Sequence, residues 1–366
     1  MELPAPLRIM NNLRLDKSIV DFDDPILITG ANGFIGTRLV EVLLRLGFRN
    51  LRCLVRSATN RTEGLLQVLG RFPHLRVKLI EGNLLSRADA KEAGRDVSLV
   101  FHLAAGMDKS FPGSFLNTVV TTRNLLDEVT QANVLRRFVN VSSLSVYSNR
   151  HLKRHALLDE TCALEPSVLE REEPYVYAKL KQDELVLEYA SRRNLPYVIL
   201  RPGAVYGPGK PDVTSRVGID TFGIFLHLGG SNRIPFTHVS NCADAIALAG
   251  ITPGIDGQVF NVIDDQLPTS RQFMAGYRKH VARRKYLPVP YSVFYAFCAL
   301  WEMYSRWSEG QLPPAFNRLK CGSYWKGNRY SNRKLKEATG WSPVVSYPDG
   351  ARAYYDYLRQ RRLPIC

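Results

Sequence analysis

The chain has 366 residues, 45% of them hydrophobic and 23% charged, with a formal net charge of +15. That balance excludes a disordered or fibrous chain and leaves room for one large domain or two coupled ones. Its six cysteines, Cys53, Cys162, Cys242, Cys298, Cys321 and Cys366, show no zinc-knuckle or Cys-x-x-Cys spacing. We therefore expect reduced thiols in a cytoplasmic protein, and no metal site.

Residues 1–24, "MELPAPLRIMNNLRLDKSIVDFDD", lack the continuous apolar core of a signal peptide and read as a mobile extension. Ile26 to Thr29 then form a short apolar run of the kind found in buried parallel strands. Gly30-Ala31-Asn32-Gly33-Phe34-Ile35-Gly36 follows, and Leu39, Val40, Leu43 and Leu44 recur at helical spacing up to Gly47. A glycine triplet alone is weak evidence. Between a strand and a helix it is the dinucleotide fingerprint, because the glycines let backbone approach a pyrophosphate at a helix N-terminus.

Further strand patterns occupy residues 50–56, 75–83, 97–105, 136–148 and 196–209, with helical patterns between most of them. The alternation predicts an α/β fold with a doubly wound parallel (Rossmann) sheet. After the second strand, an acid would bind the ribose of NAD, whereas an Arg accommodates the extra phosphate of NADP. Val55-Arg56-Ser57 stands there, so we expect NADP(H), with NAD(H) left open and adenine stacking as the alternative role of Arg56.

Tyr175 lies four residues before Lys179 in "PYVYAKLKQDELVLEY", on one face of a predicted helix. A free tyrosine, with a pKa of about 10, is a poor base at neutral pH. A neighbouring ammonium favours the phenolate and would tune it. The stretch 286–301, "YLPVPYSVFYAFCALW", carries no charge, is too short to span a bilayer and begins with two prolines. We expect a buried helix of a substrate domain. A lid over an apolar substrate and a helix lying on a membrane are the alternatives, and the basic run "RKHVARRK" at 278–285 keeps the last open. The other basic clusters lack interleaved aromatics, so they read as solvated faces and not as a nucleic-acid surface.

The series "TGANGFIG", "VFHLAA", "VSSLSVYS", "YVYAK", "RPGAVYGPG", "FTHVSNCADAIALA", "GQVFNVIDD" and "KLKEATGW" resembles the extended short-chain dehydrogenase/reductases, the NAD-dependent epimerase/dehydratase family. The resemblance implies catalysis by Ser143, Tyr175 and Lys179, with Ser142 as fallback for the serine. It also implies nucleotide contacts from Gly30, Asn32, Gly33, Phe34, Ile35, Gly36, Arg56, Asn83, Leu84, Ala104, Ala105, Tyr175, Lys179, Pro202 and Val205. Residues 25–265 would be mainly the nucleotide domain. Residues 266–366, interleaved with 205–240, would form a smaller C-terminal substrate-binding domain.

Some positions depart from the family pattern. Asn83 replaces an acid, Thr118 replaces an Asn with Asn117 one place off, Ser148 replaces a Gly, and the usual acids after "HV" are Ser240 and Asn241. His102 reads as packed. Two enzyme classes fit: an oxidoreductase of the 3β-hydroxysteroid dehydrogenase-like kind acting on an apolar alcohol or ketone, and a nucleotide-sugar epimerase or dehydratase with tightly bound NAD. The second would grip a diphosphate through Arg233, Arg318, Lys326 or Arg329. The family also implies a homodimer through the helix of Tyr175. A non-catalytic nucleotide sensor is the remaining reading.

Overall fold

Short aliphatic runs and amphipathic stretches alternate through the first 260 residues, and each run becomes a strand of one sheet. The computed structural model describes residues 18–57, 62–211, 214–221, 223–283, 285–309, 311–312 and 315–361. The strands are β1 (Ile26–Thr29), β2 (Asn50–Val55), β3 (Arg76–Glu81), β4 (Leu99–His102), β5 (Arg137–Val141), β6 (Tyr197–Pro202) and β7 (Gln258–Val262). Their order is β7-β6-β5-β4-β1-β2-β3, and every pairing is parallel. The six expected strands are present, and "GQVFNV" adds a seventh beyond β6. Strand order reverses between β1 and β4, where ligands bind in such sheets.

Helices cover both faces. On one lie α1 (Phe34–Arg45) and α6 (Val239–Ile251); on the other lie α3 (Arg87–Gly94), α4 (Thr121–Val129) and α5 (Pro174–Arg193), with α2 (Glu63–Leu69) following β2. Alternation along β1 explains the two cores: Ile26 and Ile28 pack with Leu39, Leu43 and Ile246, while Leu27 packs with Leu125, Leu126 and Val186. α6 sits so close to β4 that a Cβ on Gly250 would fall 2.3 Å from the Phe101 ring.

Two expectations about the ends need correction. Residues 1–17 lie outside the described residues, but 18–24 are part of the fold. Val20 is buried, Ile19 N–H donates to the Ile251 carbonyl at 3.0 Å, and Phe22 packs on Phe48 at 5.6 Å between ring centres. At the other end, α10 (Arg333–Thr339) and the residues after it return to the nucleotide domain: Leu335 and Trp341 are buried in its core. The physical reason is Asn241 on α6. Its Oδ1 accepts from Val344 and Val345 N–H, and its backbone carbonyl accepts from Trp341 Nε1.

The remaining C-terminal part holds a three-stranded sheet of Gly218–Thr221, Ile224–His227 and Tyr286–Pro288 with α7 (Ser270–His280), α8 (Tyr291–Trp307) and α9 (Arg318–Trp325). α8 is not the buried helix expected from its composition. Phe294, Cys298 and Ser305 face inward, and the opposite side is exposed. Among the described residues, no helix is long and apolar enough to cross a membrane.

Arg137 opens β5 with a fully buried side chain. It donates to the Ala249, Gly250 and Thr252 carbonyls at the end of α6 and makes a two-pronged pair with Asp256 at 2.7 and 2.8 Å. A cation there satisfies the last carbonyls of the helix and complements its dipole. Arg137→Met should cost about 2–4 kcal/mol in denaturant unfolding, because those buried carbonyls lose their donor.

Candidate functional site

The glycine loop joins β1 to α1 with little space to spare. Gly30 takes φ +68°, which other residues rarely adopt, and a Cβ on Gly36 would lie 2.1 Å from the Gly30 carbonyl oxygen. No side chain caps α1, and its first turn holds no acid, so its N–H groups and positive dipole end stay available to an anion. Beside this loop runs a groove of about 530 Å³. Gly30, Asn32 and Gly33 line it, as do Arg56, Asn83, Leu84, Ala104 and Ala105, together with Leu54, Gly82 and Asn117, which the sequence reading did not single out for it. Phe34, Ile35 and Gly36 build the start of α1, while Pro202 ends β6 and Val205 lies in a short strand paired to Phe236–His238. The size and lining of the groove, and a loop without room for Cβ atoms, fit a dinucleotide.

The hydroxyl and amine groups gather along the same C-terminal edge of the sheet. Ser143 follows β5, its Oγ 2.8 Å from Ser145 Oγ, and it stands beside Tyr175 of the first turn of α5, near enough to favour the phenolate. Ser142 points the other way, buried and donating to Asp183 at 2.9 Å. The choice of Ser143 over Ser142 is thus a matter of which hydroxyl meets the tyrosine. Burial pushes the Tyr175 phenol up to about 12, against the pull of Ser143.

Lys179 behaves differently from the expectation. Its ammonium is buried and donates to the Val141 carbonyl at 2.7 Å and to Gln182 Oε1 at 2.8 Å. Burial lowers its pKa to about 8, with Asp183 opposing. Tyr175 is not drawn down as expected: desolvation of the phenol is the largest influence on it, and the Asp183 charge adds to the rise.

Behind Lys179 runs a chain of hydrogen bonds that sequence reasoning missed. Gln182 Nε2 donates to Thr122 Oγ1 at 2.8 Å, and that hydroxyl donates onward to the Thr118 carbonyl. Thr122 Oγ1 also lies 2.8 Å from His102 Nε2, which must therefore be the donor. His102 Nδ1 then accepts from Thr29 Oγ1 at 2.9 Å, and Thr29 Oγ1 accepts from the N–H groups of Leu103 and Ala104 in the groove wall. His102 is packed, as expected, and burial lowers its pKa to about 3, so it stays neutral. Thr118, at the family's Asn position, accepts from Gly106 N–H, while Asn117 bonds Asp108 near the surface. No sequence spacing links Thr29, His102, Thr122 and Gln182; the sheet register does.

The expected diphosphate grips do not converge. Arg318 pairs with Glu302 at 2.8 Å, and Lys326 donates to the Asn149 and Arg150 carbonyls. Both line a separate cavity of about 630 Å³ whose wall also carries Glu165, Glu170 and Glu172. Arg233 and Arg329 line another, and both donate to backbone carbonyls.

Gln182→Leu should leave the Lys179 ammonium without one of its two acceptors. The charged form loses stabilisation, so the lysine pKa should fall from about 8 toward neutrality. Isotope-edited NMR of reductively methylated protein across a pH series reads this directly.

A family model described as "NAD dependent epimerase/dehydratase family" matches residues 26–262. Cinnamoyl-CoA reductase 1 of Petunia hybrida is 29% identical over 241 residues, covering 64% of this chain and 71% of the relative. The 3β-hydroxysteroid-dehydrogenase/decarboxylase isoform 1 of Arabidopsis thaliana is 25% identical over 356 residues, covering 90% of this chain and 78% of the relative. Among solved structures, UDP-glucuronic acid 4-epimerase of Bacillus cereus, in complex with NAD, is similar in fold. It has a TM-score of 0.68 and 24% identity, covering 92% of this chain and 97% of that one. With the glycine loop, the parallel sheet and the matched residues agreeing, this chain belongs to the NAD-dependent epimerase/dehydratase family.

Proposed function

We propose that this protein is an NADP(H)-preferring oxidoreductase that interconverts a secondary alcohol and a ketone on an apolar substrate. The observation that carries the reading is the neighbouring Ser143 and Tyr175 hydroxyls beside buried Lys179, on the sheet edge that also bears the nucleotide groove. When bound, the nicotinamide supplies or accepts the hydride. Tyr175 gives a proton to the carbonyl oxygen, or takes one from the carbinol, and Ser143 holds that oxygen by a hydrogen bond. Lys179 holds positive charge at the base of the site, and its remaining N–H would hold the nicotinamide ribose. Arg56, exposed in the groove wall where the sequence after β2 has no acid, supports NADP(H).

Two further observations support an apolar substrate over a nucleotide sugar. The likeness to the 3β-hydroxysteroid-dehydrogenase/decarboxylase extends over 90% of this chain and so reaches beyond the nucleotide domain. The cations that would hold a diphosphate are engaged by protein acceptors, and the cavity bearing Arg318 and Lys326 is rich in carboxylates.

Protein purified without added nucleotide should release none on denaturation, and should bind NADPH more tightly than NADH. Stoichiometric NAD+ carried through purification would overturn this reading in favour of an epimerase or dehydratase. Tyr175→Phe should lower turnover by roughly 10²–10⁴-fold while leaving nucleotide binding intact in equilibrium titration. With the phenol near 12, its basic form grows about tenfold for each pH unit below that value. Alcohol oxidation should therefore rise with pH from 6 to 9, whereas ketone reduction, which uses the protonated phenol, should not.

A further inference from the structure

α8 has two faces of opposite environment, and both are apolar. The inner one is explained: Phe294 meets Trp325 at 5.3 Å and Phe316 at 6.1 Å between ring centres, and Cys298 is buried beside them. The outer one is largely exposed, although Phe297 also reaches the seam, where its ring meets Phe316 at 5.6 Å between centres. Val293 is 57% exposed, Phe297 41%, Leu300 62%, Met303 65%, Tyr304 50% and Trp307 78%. Residues 293, 297, 300, 304 and 307 recur at steps of four and three, so they form one stripe along a helix about 25 Å long. Soluble monomers rarely leave so continuous an apolar face in water.

Charge around the stripe says what covers it. Between Arg278 and Trp307 the only acid is Glu302, and it is turned to Arg318. Arg278, Lys279, Arg283, Lys285 and Arg306 are all exposed. Arg278 stacks on the Tyr286 ring at 5.1 Å, which places the basic end of α7 beside the strand leading into α8. Leu287, 55% exposed, lies in that strand between the cations and the helix. An apolar stripe with tyrosine and tryptophan at its edge and a cluster of cations at its start matches an anionic bilayer surface; the carboxylates of Glu170 and Glu172 lie by Tyr295 and Arg306. A second copy of this chain would bring the same cations face to face.

We propose that α8 is an interfacial helix that seats the protein on an anionic lipid surface, its outer face among the acyl chains and the cations of 278–285 and Arg306 at the headgroups. The helix lies in the membrane plane and does not cross it, in keeping with its 17 residues. The stripe is a property of the surface alone and does not depend on the catalytic reading of Tyr175.

The test is flotation of the full chain with phosphatidylcholine vesicles, with and without about 30% phosphatidylserine. Binding should appear with the anionic vesicles, weaken but persist at high salt, and fall by about tenfold or more in Leu300→Glu/Met303→Glu. Both positions are exposed, so the variant should keep its far-ultraviolet spectrum and its nucleotide affinity. Tryptophan emission should shift to the blue on vesicle addition in the parent chain and not in Trp307→Phe. Absence of binding to either vesicle, or equal binding by the glutamate variant, overturns the proposal. So does a concentration-dependent dimer that the glutamate pair abolishes while vesicles have no effect, because the stripe would then join two copies.

Discussion

Asp183 is completely buried on the inner face of α5, one turn beyond Lys179. Asn140 and Ser142 donate to it from the end of β5, and Arg201 donates from β6 at 3.1 Å. Burial pushes its carboxyl up, and Arg201 pulls it back. Removing one member of such a buried set leaves the rest uncompensated, a loss of about 3–5 kcal/mol. The carboxylate locks the rotation of α5 against two strands, and that rotation decides what Tyr175 and Lys179 can touch. Ser142 is spent on the lock, which leaves Ser143 for the tyrosine.

The same helix carries Gln182, whose amide links Lys179 to Thr122, His102 and Thr29. That chain ends on the Leu103 and Ala104 amides in the wall of the nucleotide groove. Each polar side-chain atom in it has a hydrogen-bond partner, and the hydrogen on His102 is placed by the bonds of its neighbours. A satisfied network of this kind is rigid, since turning any member would strand a buried polar group. Groove and lysine are therefore held as one unit by side chains from β1, β4, α4 and α5.

Rigidity at the sheet edge contrasts with the outer part of the C-terminal region. There the packing seam of Phe294, Phe316 and Trp325 faces inward, and α8 has an apolar side left exposed among the described residues. Composition flagged this segment for its lack of charge but read it as buried. A charge-free helix one turn off in either direction reads the same in sequence. Only its neighbours decide which side is wet.

Local rules were enough for the nucleotide half. The continuous apolar run of β1, the glycines at 30, 33 and 36, and the helical spacing after them each follow from backbone sterics and hydrophobic patterning within a few residues. The helix that carries Tyr175 and Lys179 was legible for the same reason, as a four-residue step on one face. What tertiary structure decided was every relation across elements. It turned Lys179 toward Val141, put Ser142 on Asp183, sent the chain after Arg333 back to the nucleotide core through Asn241, and separated Arg318 from the site by pairing it with Glu302. These depend on strand register and on which faces meet, and residues 16 to 103 apart in sequence carry no local mark of either.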